Sequence, residues 1–392
     1  MPGEDSSQIA APIIAARKAE PASMTSAKPR IVVDNPARPR YPSADEYARI
    51  PPRRVRYVRT PHDHAPIQEM PDHPPRSTGP ACPAPAAGEP PRVPFVVAVI
   101  VTYHPEPQQV QRQLDALSPQ VAELIVVDNG STAAELAPLR ARAAAEATLS
   151  VLELGSNRGV GCAQNCGIEH AIARGASHVL LMDQDSVPAG DLVAWLLQAL
   201  DAPSVAAAGP RIYDPRTRSS LDFLAKTTTG YRRLSLPETS TAAIDVDHLI
   251  ASGCLIPSAV LARIGLMDET LFIDAVDTDW CLRARAAGLR LVAEGRAVLE
   301  HSLGSRSTRV RFGGRVRTLA FHPPLRQYYI FRNNLLLCRR PHADRAWRRH
   351  IAKVLPRRFV LYLVLGPRRF AYLREIAAGI RDAVLGRTGA RR

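Results

Sequence analysis

Four apolar runs constrain this chain more than any other feature: "FVVAVIVTY" from Phe95, "AELIVVDNGS" from Ala122, "LSVLEL" from Leu149 and "SHVLLMDQDS" from Ser177. They are rich in β-branched residues and lack polar alternation in their centres, the mark of strands buried on both faces. Segments of helical period separate them, at Gln108–Leu117, Ala133–Ala147 and Ala163–Ala173, the last opened by the glycine-rich loop "GSNRGVG". Such alternation predicts an α/β domain with a mostly parallel sheet. Right-handed crossovers bring the strand ends to one edge, where open α/β sheets bind ligands. Thr102, Asp128, Asn129, Asn157 and Asp183 fall on that edge.

The flanks differ sharply from this region. Residues 1–94 hold more than half of the 35 prolines, and little there can form a core. They read as a disordered or extended tail, with His62, His64 and His73 solvated. The amino terminus carries acids early and lacks the apolar run of a signal peptide. No uncharged apolar stretch reaches the ~20 residues that span a bilayer. Residues 210–247 read as short strands and loops, and "GCLIPSAVLARIG" and "DTDWCLRARAAG" as two short helices. The chain thus divides into a tail (1–94), a catalytic-type domain (95–305) and a basic helical region (306–392).

The formal net charge of +14 points to a polyanionic partner. No helix-turn-helix, zinc or RNP pattern accompanies it, which argues against nucleic acid. After His301 acids nearly vanish while arginine recurs among aromatics and aliphatics. Two amphipathic helices broken near Pro356 and Pro367 are expected there, suited to an anionic membrane surface. The six cysteines form no CxxC pair and read as reduced thiols.

Several acids ask for chemistry. In "DQDS", Asp185 or Ser186 can cap a helix over Gly190–Leu200. Asp183 directly follows a buried run, where charge is costly without a counter-ion. Two carboxylates one residue apart can approach one divalent cation, and Mg²⁺ favours few carboxylates plus substrate phosphates. Asp128 precedes Asn-Gly, an excellent turn, and could instead meet a ribose or base. Asn157 and Arg158 sit before a helix N-terminus suited to phosphate. Asp274, Asp277 and Asp279 are more acid than one helix start needs, so one could act as general base. His301 stands at a strand end.

Taken in order, "VAVIVTYHP", "IVVDNGS", "NRGVGCAQNCGI", "LLMDQDS", "SGCLI", "LFIDAVDTDWCLRA" and "RQYYIFRN" resemble a family 2, GT-A-fold glycosyltransferase. Within that family they resemble the bacterial rhamnosyltransferase branch, over residues 95–340. The resemblance implies an inverting transferase using Mg²⁺ or Mn²⁺. It implies a nucleotide-sugar donor, dTDP-rhamnose in this branch, and a cell-surface or lipid-linked glycan acceptor at the cytoplasmic membrane face. By position, Thr102, Tyr103, Asp128, Asn157 and Arg158 would serve the nucleotide. Asp183 and Asp185 would hold metal and diphosphate, with His301 as a third ligand. Asp277 would be the base. Val276 stands where the family often has Glu, which leaves Asp279 open as well. "RQYYIFRN" in place of QxxRW implies one sugar per encounter. The rivals are a silent GT-A-like scaffold binding nucleotide or glycan, a UDP- or GDP-sugar donor, and a nucleotidyltransferase. The last would want a glycine-rich basic loop where "TYHPEPQQV" stands.

Overall fold

The computed structural model describes residues 56–58 and 93–391, apart from 216–217, 229, 238, 302–306 and 313–314. Cys82 and the tail histidines lie outside the described residues. Elements are numbered in chain order within each class. The first half contains strands β1 (Arg56–Val58), β2 (Val96–Thr102), β3 (Glu123–Asp128), β4 (Leu149–Glu153), β5 (His178–Asp183) and β6 (Ser186–Pro188). Helices α1 (Pro107–Leu117), α2 (Ala133–Ala145), α3 (Val160–Ala173) and α4 (Leu192–Leu200) belong to the same half. Strands β7 (Val205–Asp214), β8 (Ser219–Ser220), β9 (Phe223–Thr227), β10 (Gly230–Leu234) and β11 (Ala243–Val246) follow. Then come β12 (Cys254–Pro257), α5 (Ser258–Ile264), α6 (Val276–Ala286) and β13 (Arg290–His301). The chain continues through β14 (Ser307–Phe312), β15 (Arg315–Ala320), α7 (Pro324–Leu337), α8 (Arg345–Leu365) and α9 (Arg369–Val384).

The main sheet runs β1-β4-β3-β2-β5-β12-β7-β13-β11. The block β4-β3-β2-β5 is parallel, as the alternation predicts. Strand β12 then runs antiparallel to β5 and β7, and β13 returns parallel to β7. The sheet is therefore mixed. Of the proline-rich segment, the structure describes β1 as a three-residue strand antiparallel to β4 at the sheet edge. Strands β14 and β15 form a two-stranded sheet by themselves, so helix begins only at Pro324 in the region expected to be helical throughout.

The pleat sorts side chains to two cores. Val97, Val99, Ile125 and Val127 face α3, α5 and α6, while Val96, Ala98, Ile100 and Leu124 face α1, α2 and α4. On α3, a Cβ at Gly167 would meet Val99 Cγ1 at 2.3 Å, so the helix approaches the sheet as only glycine permits. Helix α9 lies along α7 in the same manner, with Gly379 against the Tyr328 carbonyl.

Three further expectations change. "GCLI" is strand rather than helix, since its residues sit between β5 and β7 and pair with both. Ser186 opens β6, paired to His301 on β13, and neither it nor Asp185 caps α4, whose N-cap is Asp191. Helix α8 passes through Pro356 unbroken. The carbonyl deprived of its partner there is on exposed Ala352, where water can reach it, and Ile351, Leu355 and Tyr362 anchor the other face.

Candidate active site

The carboxyl ends of β2, β3 and β5 converge with the loop before α6. Strand β5 delivers Asp183 after a buried run, and its surroundings fix the loop that follows. Gln113 of α1 donates to the Asp183 carbonyl (2.6 Å), and the Gln184 side chain bonds both the backbone N–H (2.7 Å) and carbonyl (3.1 Å) of Tyr103. The pairing of β6 with β13 then turns the chain back and brings His301 to the aspartates.

Ligand atoms of Asp183, Asp185 and His301 lie within 4.8 Å of one another. His301 is buried, with Nδ1 2.7 Å from Ser186 Oγ and 3.3 Å from an Asp185 oxygen. Ser186 Oγ in turn meets Ser252 Oγ at 2.7 Å, and Ser252 accepts from the Asp183 backbone N–H at 3.2 Å. Two hydroxyls thus orient the histidine and the strand end together. Ser252 carried no role in the sequence reading, although it opens the "SGCLI" motif. Burial pushes the Asp183 carboxyl up to about 6, reinforced by the negative charges of Asp185 and Asp277 and opposed by His301 and Arg326. Two carboxylates and one imidazole are a donor set suited to a hard divalent cation. The mutual repulsion of the acids is what such a cation would relieve.

The acids at the start of α6 divide by environment. Asp279 is fully buried and engaged by Arg283 (2.9 Å), His342 (2.8 Å) and Arg340 (3.4 Å). It is tied into the structure. Asp277 is half-buried on the first turn of α6, where Oδ1 accepts from the Thr278 N–H at 2.7 Å. His248 Nε2 stands 3.0 Å from Thr278 Oγ1 and 4.0 Å from Asp277 Oδ2. Asp274 pairs with Arg326 of α7 at 3.0 Å.

Backbone strain concentrates here. Phe272, Asp274 and Ala275 have φ of 65°, 63° and 65°. At Phe272 (ψ −61°) the Ile273 N–H reaches the Leu271 carbonyl at 2.8 Å, a γ-turn of the strained, positive-φ kind. "RQYYIFRN" supplies the restraint. Asn333 Nδ2 lies within 2.7–2.8 Å of the carbonyls of Leu271, Ile273 and Asp274, and Arg332 donates to the Leu271 carbonyl at 3.0 Å. The Phe272 ring stacks on Tyr329. Sequence reading placed this motif by its order and missed its work, because its targets are backbone carbonyls 60 residues away.

The nucleotide side is equally interlocked. Both Asp128 oxygens are engaged, by Thr102 Oγ1 (3.2 Å), Ser131 Oγ (2.5 Å) and the N–H groups of Gly130 (3.0 Å) and Ser131 (2.8 Å). As folded, Asp128 shapes its turn. Asn129 Nδ2 reaches Asn157 Oδ1 (3.2 Å), and its Oδ1 accepts from the Arg158 N–H (2.8 Å). The Arg158 side chain is exposed, and Tyr103 is half-buried. Gly159 has φ +92° and lies against the Phe272 backbone, and the Val160 N–H donates to the Phe272 carbonyl. The glycine-rich loop therefore touches the strained loop before Asp277.

Known proteins resemble this chain in sequence and fold. The family model described as glycosyl transferase family 2 matches residues 98–265. The chain is 30% identical over 247 residues to the dTDP-rhamnosyl transferase RfbF of Shigella flexneri, covering 63% of this chain and 81% of that one. It is 27% identical to the galactofuranosyltransferase GlfT1 of Mycolicibacterium smegmatis, covering 71% and 93% respectively. Among solved structures, GalNAc-T7 with UDP, GalNAc and Mn²⁺ superposes with a TM-score of 0.50 at 13% identity. That match covers 76% of this chain and 57% of the other and concerns the fold, which is GT-A-like. A relative at this identity, spanned over most of its length, together with the family model over residues 98–265, places the chain in glycosyl transferase family 2, in its rhamnosyltransferase branch.

Proposed function

We propose that the enzyme transfers L-rhamnose from dTDP-rhamnose, with inversion, to a cell-surface or lipid-linked glycan at the anionic cytoplasmic face of a membrane. The meeting of Asp183, Asp185 and His301 at the sheet edge, with Asp277 near enough to act on Asp183, carries this reading. The name of the Shigella relative supports the donor.

Asp183, Asp185 and His301 would hold Mg²⁺ or Mn²⁺. When bound, such a cation neutralises the departing diphosphate. Asp277 takes the proton of the acceptor hydroxyl as that oxygen attacks the anomeric carbon from the face opposite the leaving group. The pairing of Asp279 with two arginines and a histidine supports Asp277 over Asp279 for this role. Tyr103 lines the base pocket, Thr102 is fully buried and serves it from beneath by holding Asp128, and Asn157 and Arg158 approach the nucleotide. Asp128 serves the donor by holding the 129–131 turn. Arg326, paired to Asp274 and close enough to influence Asp183, adds positive charge beside the diphosphate. The enzyme's main contribution is positioning two substrates.

A donor panel scored by nucleotide release tests the reading. Release from dTDP-rhamnose with acceptor and Mn²⁺, lost in EDTA, is expected. Equal turnover of UDP- or GDP-sugars, or full activity in EDTA, would overturn the donor or the metal assignment respectively.

A further inference from the structure

The exposed apolar side chains of α9 fall on one stripe. Phe370, Leu373, Ala377, Ile380 and Val384 follow one another at intervals of three and four, one face of a helix. Phe370 is 89% exposed and Val384 65%, although the opposite face, with Tyr372, Ile376 and Ala383, is buried. Val360, Leu363 and Val364 stand exposed on the last turns of α8, just before the corner that leads into Phe370. Single exposed aliphatics need no explanation, but a continuous helical stripe does.

Charge decides what could cover it. Between Arg345 and Arg391 the only acids are Glu375 and Asp382, and both are buried. Glu375 is paired with Arg374 and Arg391, and Asp382 with Arg381, Arg387 and the Tyr328 hydroxyl. The outward surface of α9 therefore presents apolar side chains flanked by Arg368, Arg369, Arg374, Arg381 and Arg387, with no exposed carboxylate. A second copy docking through this stripe would set arginine against arginine, which is unfavourable. An apolar interior beneath a layer of negative headgroups satisfies both features at once. No helix among the described residues is long and apolar enough to cross a bilayer, so the contact is interfacial.

We infer that the α9 stripe, with the end of α8, is the surface by which this enzyme lies on an anionic lipid bilayer, Phe370 and Ile380 entering the acyl boundary and the arginines meeting the headgroups. The inference rests on the reading of an enzyme at a membrane face and names the surface that meets it. Because α9 packs along α7, whose Arg326, Arg332 and Asn333 hold the loop before Asp277, the bilayer would sit behind the element that fixes the candidate base.

The test is sedimentation of the full chain with vesicles of phosphatidylcholine alone or mixed with phosphatidylglycerol. Wild type is expected to pellet with the mixed vesicles only, and to be released by salt. Phe370→Glu/Ile380→Glu should lower that partition about tenfold or more. Its melting temperature and its nucleotide release in solution should match wild type, because both positions are solvent-facing and outside the site. Equal partition of variant and wild type would overturn the inference, as would a wild type that never pellets. A wild-type dimer in equilibrium sedimentation, dissociated by the same substitutions without any lipid binding, would assign the stripe to a second copy. Absence of nucleotide release from every donor, with vesicle binding as expected, would refute the transferase reading and leave the surface standing.

Discussion

Asp183 is half-buried and Asp279 fully buried, and their partners set opposite expectations for the same substitution. Burial, reinforced by the neighbouring charges of Asp185 and Asp277, pushes the Asp183 carboxyl from its ordinary value up to about 6. The native state then binds more protons than the unfolded chain between those values, so metal-free stability falls as pH rises toward 6, and the whole penalty remains above it. Asp183→Asn is expected to stabilise the metal-free protein at neutral pH by about 1–3 kcal/mol while abolishing transfer. Thermal melts in EDTA check this. Wild type should also gain stability on adding Mn²⁺, and the variant should not. Asp279, itself fully buried, has two half-buried arginines and a half-buried histidine around it, and Asp279→Asn leaves these groups with weakened compensation. A loss of about 3–5 kcal/mol is expected in denaturant unfolding. Asp277→Asn should leave stability within about 1 kcal/mol and donor affinity intact, with transfer lost. An Asp277→Asn enzyme that transfers at the wild-type rate would remove it as the base.

Among elements, α7 is the one whose purpose the sequence hid. The strands were legible because burial on both faces leaves an unbroken apolar run, and the helix starts near them were legible to within a few residues. The places of "DQDS" and "DNGS" at strand ends and of Asp277 at a helix start were legible because acids and turn residues stand out there. The roles of Ser252, Gln113 and Asn333 were not, since each bonds to a partner far along the chain that only the fold brings near. "GCLI" misled because a four-residue strand between two neighbours reads the same as the first turn of the helix after it. Asn333→Ala tests the reading of α7. It deletes contacts to three carbonyls of a strained loop, so a cost of about 2–3 kcal/mol is expected. Turnover should fall by at least about tenfold with donor affinity little changed, since the base and not the nucleotide loop loses its support.

On the scale of the whole molecule, the segment beyond α9 returns to the site. The Gly389 N–H meets the Thr270 carbonyl, the Gly389 carbonyl accepts from Arg332, and the Arg391 N–H donates to the Tyr329 hydroxyl at 2.9 Å. Residues 389–391 thus brace the same loop that α7 holds from within. Ending the chain after Leu385 is expected to lower turnover and to speed hydrogen exchange across 270–276, as mass spectrometry would read it, with the sheet unaffected. The basic carboxyl-terminal region, read from composition as a surface for other molecules, is on its inner side a brace for the loop before Asp277. Composition could not reveal the part of residues 389–391, because their contacts to Thr270, Arg332 and Tyr329 use backbone groups that carry no compositional signal.

The left-handed run at Phe272, Asp274 and Ala275 has a consequence for how freely this enzyme can vary. Glycine is the easy residue at such backbone angles, yet the chain places there an aromatic ring stacked on Tyr329 and a carboxylate bound to Arg326. Backbone ease and side-chain need pull apart at these positions. A saturation library across 270–280, sorted for activity, should therefore show a narrow corridor: glycine relaxes the turn and forfeits the anchor, while valine or isoleucine can adopt neither the angles nor the contacts. Adaptation to new acceptors would then have to come from residues around the loop rather than from the loop itself.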